Sequence, residues 1–266
     1  MHIYANSYNE WFPIHSYRVQ YVPPGEYPSE CGVSWNGYLG STRELLKSQE
    51  TSPEVSPHAS HPSRSLFMLL SYVQATTPEH FVCPDTRDLA DDLWNDGWDG
   101  NVQGVPGVNR FDFRGYNHLS YAYQLPYGRR ARPHENLNSA MVLVADKGPY
   151  YEGDYHVMAP TRTVNDRRSS LETPREWIGL SIDELLNLGD EWRPFNSRNH
   201  RGTGQNVCHV DGSVIFENTP IAGVDYDNIY SVQKPGEAIE EPLIGIVPDA
   251  EHTWTPLTQT DSFLVP

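Results

Sequence analysis

His200, His209 and Asp211 are the residues here whose types suit transition-metal chemistry, because imidazole and carboxylate are ligands for zinc or iron and the three could support a metal-dependent hydrolase. Read as a strand, the segment puts His209 and Asp211 on one face and Cys208 on the other, while His200 lies beyond a Gly-x-Gly loop expected to be flexible. The plainer reading is that Asp211 sets a turn and His200 hydrogen-bonds locally. A second candidate is Asp225-Tyr-Asp227-Asn228, which follows Gly223 and spaces its oxygen donors closely enough for calcium, with Asp211 as a further carboxylate. It lacks the glycine and closing glutamate of an EF-hand loop, and a solvated acidic loop is the alternative. A third lies between Asp85 and Asp99, where Asp91, Asp92, Asp96 and Asp99 surround Trp94 and Trp98. Tryptophan faces stack on sugar rings, so Trp94, Trp98 and Asp99 are candidate ligand-binding residues for a carbohydrate or a second cation; the alternative is an acidic loop with its tryptophans tucked into the core. The sequence has no nucleophile elbow, phosphate-cradling loop with lysine, His-Glu-x-x-His or dinucleotide fingerprint. The pairs Glu240–Glu241 and Asp91–Asp92 read as carboxylates facing water, and the chain is expected not to be an enzyme.

The clearest of the elements that must position these residues is a hairpin. Asn206-Val-Cys-His-Val210 reads as a strand, Asp211-Gly212 as a two-residue turn, and Ser213-Val-Ile-Phe216 as the returning strand. Alternation over Leu119–Leu125 predicts a half-exposed strand, and the continuous apolar run Met141–Ala145 a buried one. A helix is expected to finish by Asn9, before Pro13 and Pro23-Pro24-Gly25. Ser41 with Glu44 opens a short capped helix to Lys47, and Ser63 or Ser65 opens one through Leu66–Val73 that packs on the sheet. Thr77-Pro78 marks a further helix start or turn, and Ser181-Ile-Asp-Glu-Leu-Leu186 a short capped helix. Thr51–Pro62, Asp85–Gly107 and Asp154–Pro174 read as loops. Everything after Ile229 is proline-punctuated, so 231–266 reads as an extended tail packed on the head or on a neighbour.

With 266 residues and no clean linker, one main domain over 1–230 is expected. The 20 glycines, 22 prolines and 16 tyrosines point to β structure with much irregular backbone, an α+β head of antiparallel sheet on short helices. A formal charge of -16 argues against nucleic-acid binding, which needs a basic footprint, and against anionic lipid. No apolar run approaches the ~20 residues that a spanning helix needs, and no secretory signal pattern is present.

Asn199-His200, Gly202-x-Gly-Gln-Asn-Val207, Asp211-Gly212 and the Val214-x-Phe216 strand together resemble the C-terminal signature of bacterial pilin-like proteins abundant in planctomycetes. These proteins, with a prepilin-type cleavage and methylation signal, are often called type II secretion pseudopilin-like. Met1–Asn6 with Trp11-Phe12-Pro13, Tyr38–Arg43, Ser63–Leu66, Thr77–Pro84, Leu119–Tyr127, Ala145–Pro149, Asp227–Tyr230 and Thr260–Leu264 look like segments of the same family in the same order. The resemblance implies an extracellular or cell-surface filament subunit that assembles with like copies, with 1–9 as the end of a longer helix and the membrane reached only through an apolar segment upstream. It also supports calcium in the C-terminal part of the head. Where family members often have His, this chain has Ser213, which weakens a family-wide metal role at the turn. In an exported chain one bridge, Cys31 to Cys83, could form and leave Cys208 free; buried free thiols are the alternative. The competing functional class is an extracellular carbohydrate- or ligand-binding module.

Overall fold

The computed structural model describes residues 1–14, 62–71, 76–93, 113, 116–126, 130–149, 174–177, 179–232 and 255–266. The predicted helix from Ser41, the loops at 51–61 and 154–173, Cys31, Trp94, Trp98 and Asp99 lie outside the described residues. At the centre is the apolar run after Met141, which forms β2 (Val142–Asp146). On one side it pairs with β1 (Tyr121–Gln124), on the other with β3 (Gln205–His209). β4 (Val214–Glu217) returns beside β3, and β5 (Leu264–Val265) pairs with β1, giving a five-stranded antiparallel sheet ordered β4-β3-β2-β1-β5. With a few short helices on this sheet, the described arrangement is α+β or mostly β.

Each face of the sheet carries its own apolar cluster. On one, Leu143 and Tyr123 pack with Phe12, Phe67, Phe81, Phe113 and Leu119, under α1 (His2–Ser7) and α2 (Ser63–Ser71). On the other, Ala122, Val142, Ala145 and Val207 meet Trp177, Leu185, Trp192, Ile229, Tyr230 and Phe263. Strict alternation along β2 fails at one point: a register shift against β3 between Val142 and Val144 leaves both Leu143 and Val144 against the α1/α2 cluster.

Local chemistry sets the ends of these elements. α1 stops where Asn9 and Glu10 take positive φ (54 and 66), close to the predicted boundary. α3 (Ile182–Leu186) is fixed by the predicted capping box: Glu184 N–H donates to Ser181 Oγ at 3.4 Å, and Ser181 N–H donates to Glu184 Oε2 at 2.8 Å. It carries Leu185, whose carbonyl accepts the indole N–H of buried Trp192 at 2.7 Å. The hairpin differs from its prediction in the turn. Gly212 N–H donates to the His209 carbonyl at 2.9 Å, His209 N–H donates to the Ser213 carbonyl at 2.9 Å, and Gly212 has φ +85. The connection is thus three residues, Val210 to Gly212, with glycine in the left-handed position, rather than a two-residue Asp-Gly turn.

The end of the predicted tail is a strand of the sheet. Phe263, Leu264 and Val265 are fully buried, and Gln124 clamps them: its Nε2 donates to the Asp261 carbonyl at 3.0 Å while its Oε1 accepts Phe263 N–H at 2.8 Å. Ser181→Ala removes the cap of α3, which is expected to lower stability by about 1 kcal/mol in urea denaturation with an unchanged slope.

Candidate functional site

Three buried or half-buried donors from distant parts of the chain converge at the end of β2. Asp146 is its last residue. Cys83 follows a single 3-10 turn, Pro78–Phe81, and His200 sits in the polar loop leading into β3. Their donor atoms lie within 4.8 Å of one another, and no other group of three such residues occurs among the described residues. His200 Nε2 is 3.1 Å from Asp146 Oδ2 and 4.0 Å from Cys83 Sγ. Its Nδ1 is 3.4 Å from Asp85 Oδ2, and Phe216 covers its ring edge-on at 5.6 Å.

The loop carrying His200 is held rather than flexible. Asn196 Nδ2 donates to the carbonyls of Gly202 at 3.1 Å and Asn218 at 2.7 Å, and Gln205 Oε1 accepts Ser197 N–H at 3.1 Å. At Gly204 a Cβ would stand 2.3 Å from the Glu217 carbonyl oxygen, so the chain enters β3 in contact that only glycine permits. Asp146, fully buried, accepts Asn199 Nδ2–H on Oδ1 at 2.8 Å and the Asn206 backbone N–H on Oδ2 at 2.6 Å. Its own carbonyl accepts the Tyr230 hydroxyl at 2.7 Å. The Tyr230 ring lies so close to Gly148 that a Cβ there would be 2.7 Å from it.

The Asn206 carboxamide joins the cluster: its Nδ2 is 2.9 Å from His200 Nε2 and donates to Asp146 Oδ2 at 3.2 Å. Burial pushes the Cys83 thiol up, and the charges of Asp146, Asp85 and Asp88 add to this against a backbone N–H at Asp85 that lowers it. Below the site, Asp88 Oδ2 accepts Ser120 Oγ–H at 2.6 Å and the Lys147 ammonium at 3.0 Å.

Comparison with known protein families, curated proteins and solved structures gives no match.

Of the metal-ligand candidates read in the sequence, His200 alone enters this cluster, joined by Cys83, which the sequence offered only as a disulfide candidate. His209 Nδ1 faces Ser213 Oγ at 3.4 Å, and Asp211 is exposed and caps the hairpin turn by accepting Ser213 N–H at 2.8 Å, so the His200–His209–Asp211 metal set is not assembled. Asp211, Asp225 and Asp227 are not brought to a common point either. Asp225 is exposed at φ 55; Asp227 is buried and accepts Ser262 N–H at 2.7 Å; Asn228 Oδ1 accepts Tyr230 N–H at 3.1 Å. Cys83 carries a free, buried thiol turned towards His200. The sequence reading did not place Cys83 and Asp146 beside His200. The available signal was an aspartate ending a fully apolar strand, a position where a charge needs partners.

Asp227 is held well above the ordinary 3.8, first by burial and then by the neighbouring Asp261 charge. The native state therefore keeps this proton more tightly than the unfolded chain. Its contribution to stability is full below the ordinary carboxylate range and is lost as pH rises through the raised native value. Asp227→Asn keeps an oxygen for Ser262 N–H without the charge. Stability from urea denaturation is expected to fall less steeply between acid and neutral pH in the variant; equal slopes would refute a raised Asp227.

Proposed function

We propose that this chain is the globular head of a pilin-like subunit of an extracellular or cell-surface filament, of the pilus or type II secretion pseudopilus kind, acting by self-assembly and not by catalysis. The observation that carries this reading is the outer edge of β4. Among the described residues no strand pairs with it, and Val214, Ile215 and Phe216 are 65%, 48% and 45% exposed. An unpaired edge with three consecutive exposed apolar side chains offers backbone hydrogen bonds and apolar area to another copy, the physics of strand addition. A contact between two different surfaces of like subunits propagates into a filament when its rotation does not close.

Two further features support it. α1 seats Tyr4 and Ala5 in the core and leaves Ile3 82% exposed, so this helix has an apolar residue free for a neighbour. The Asp211-Gly212 hairpin and the Thr260–Leu264 segment, two stretches that carry the family resemblance, make β4's turn and the clamp of β5. Among the described residues no helix is long and apolar enough to cross a membrane.

Electron microscopy of the protein and of the cells that make it tests the proposal. Filaments containing this chain are expected, and Val214→Lys together with Ile215→Lys should abolish them while leaving the melting temperature within a few degrees, because both side chains point largely to water. Wild-type protein that forms no ordered polymer, or polymers indifferent to the double substitution, would overturn it.

A further inference from the structure

The cluster at the end of β2 has the composition and geometry of a transition-metal site. We propose that Cys83 Sγ, Asp146 Oδ2 and His200 Nε2 bind a single zinc-class ion, with Asp85 as the residue that orients His200. This is independent of filament assembly.

Distances come first. Zinc holds nitrogen and oxygen ligands at ~2.0 Å and sulfur at ~2.3 Å in a tetrahedron, which sets nitrogen and oxygen about 3.3 Å apart and nitrogen and sulfur about 3.5 Å apart. The site has Nε2 at 3.1 Å from Oδ2 and 4.0 Å from Sγ. A shift of about half an ångström in Cys83 would bring Sγ to tetrahedral distance from Nε2, and the three donor atoms already lie within 4.8 Å of one another.

The polar contacts converge on the same point. Nε2 and the Asp146 carboxylate face each other at 3.1 Å, and an ion bound between them would take the Nε2 lone pair in place of the Asn206 carboxamide 2.9 Å away. The surroundings are those of a ligand shell. Nδ1 faces the Asp85 carboxylate at 3.4 Å, the usual outer partner of a metal-bound histidine, and Asp146 Oδ1 is fixed by Asn199 at 2.8 Å.

Donor type selects the metal class. A thiolate with one imidazole and one carboxylate suits zinc and its neighbours, whereas calcium and magnesium take oxygen alone. Three protein donors leave a fourth position for water or for a donor from another molecule. An entry path exists, because Asp85 is 53% and His200 22% exposed in their side chains. Bound metal would join the Cys83 turn, β2 and the His200 loop.

Cobalt(II) titration of the full chain, freed of metal by chelator and kept reduced, is the test, since cobalt reports its ligands by colour. To remove the other thiols, Cys31→Ser and Cys208→Ala are introduced first. One equivalent per chain is expected, with near-ultraviolet thiolate-to-cobalt absorption and intense visible bands of a tetrahedral site, both displaced by one equivalent of zinc. Cys83→Ser should abolish the thiolate absorption, and His200→Gln should weaken binding at least tenfold. Asp85→Asn, at a side chain 53% exposed, should keep the spectrum and weaken zinc about 10- to 100-fold. Zinc should also raise the melting temperature of the wild-type protein. Absence of thiolate absorption in the protein with Cys83 as its sole cysteine, or its survival in Cys83→Ser, would overturn the site. Unchanged zinc affinity in Asp85→Asn would overturn the orienting role.

Discussion

A carboxylate removed from water must find its hydration again within the protein, and the burial of Asp146 imposes that demand on half the structure. Its oxygens receive Asn199 Nδ2, Asn206 Nδ2 and the Asn206 backbone N–H, and its carbonyl takes the Tyr230 hydroxyl. Those donors come from the loop before β3, from β3 itself and from the segment after β4. The two asparagines must be in place for the carboxylate to be tolerated at the end of a strand whose other residues are apolar, while the Tyr230 hydroxyl satisfies the main-chain carbonyl. The requirement explains why the His200 loop is braced by Asn196 and Gln205 instead of swinging on its glycines, and why Tyr230 stands against Gly148, where no side chain could intervene. It also explains why Cys83 and His200 meet there: a site that already gathers donors around one charge brings other polar groups within reach.

The two edges of the sheet are treated differently. β5 has only two residues, is fully buried, and is locked by Gln124 on one side and by Leu264 N–H donating to the Ile229 carbonyl at 2.8 Å on the other. β4 is longer and apolar on its exposed side, without the lysines, prolines or bulges that usually blunt an edge. It also carries Phe216 over the His200 ring, so the surface offered to a neighbour and the polar cluster share a side chain.

Much of this fold could be read from the sequence because its signals are local. The apolar run from Met141, the alternation after Leu119, the Ser181–Glu184 box and the hairpin around Gly212 each lie within a few residues, and each element appears where its pattern predicts; β1, however, is buried along nearly its whole length rather than half-exposed, because both faces of the sheet carry core there. The turn length was misread because Asp-Gly is compatible with both two-residue and three-residue connections, and the choice rests on the pairing of Cys208 with Val214. β5 has no pattern of its own: two residues cannot show a period, and a partner 139 residues away supplies its hydrogen bonds. The cluster was hidden for the same reason. Cys83, Asp146 and His200 have no ligand spacing in sequence, whereas His209 and Asp211, which do, are turned to the hairpin's own backbone and hydroxyl.

The clamp of Gln124 on the Phe263 segment has a consequence for how the chain is born. Closing a loop of that length costs entropy before any contact rewards it, whereas the β3–β4 hairpin closes locally. On the ribosome the hairpin and β2 can pair as soon as they emerge, but β1 keeps an open edge and the core lacks Phe263 until the last strand has cleared the exit tunnel. Until then the nascent chain exposes an unpaired edge on β1 as well, and among the described residues of the folded protein the open edge is the one on β4.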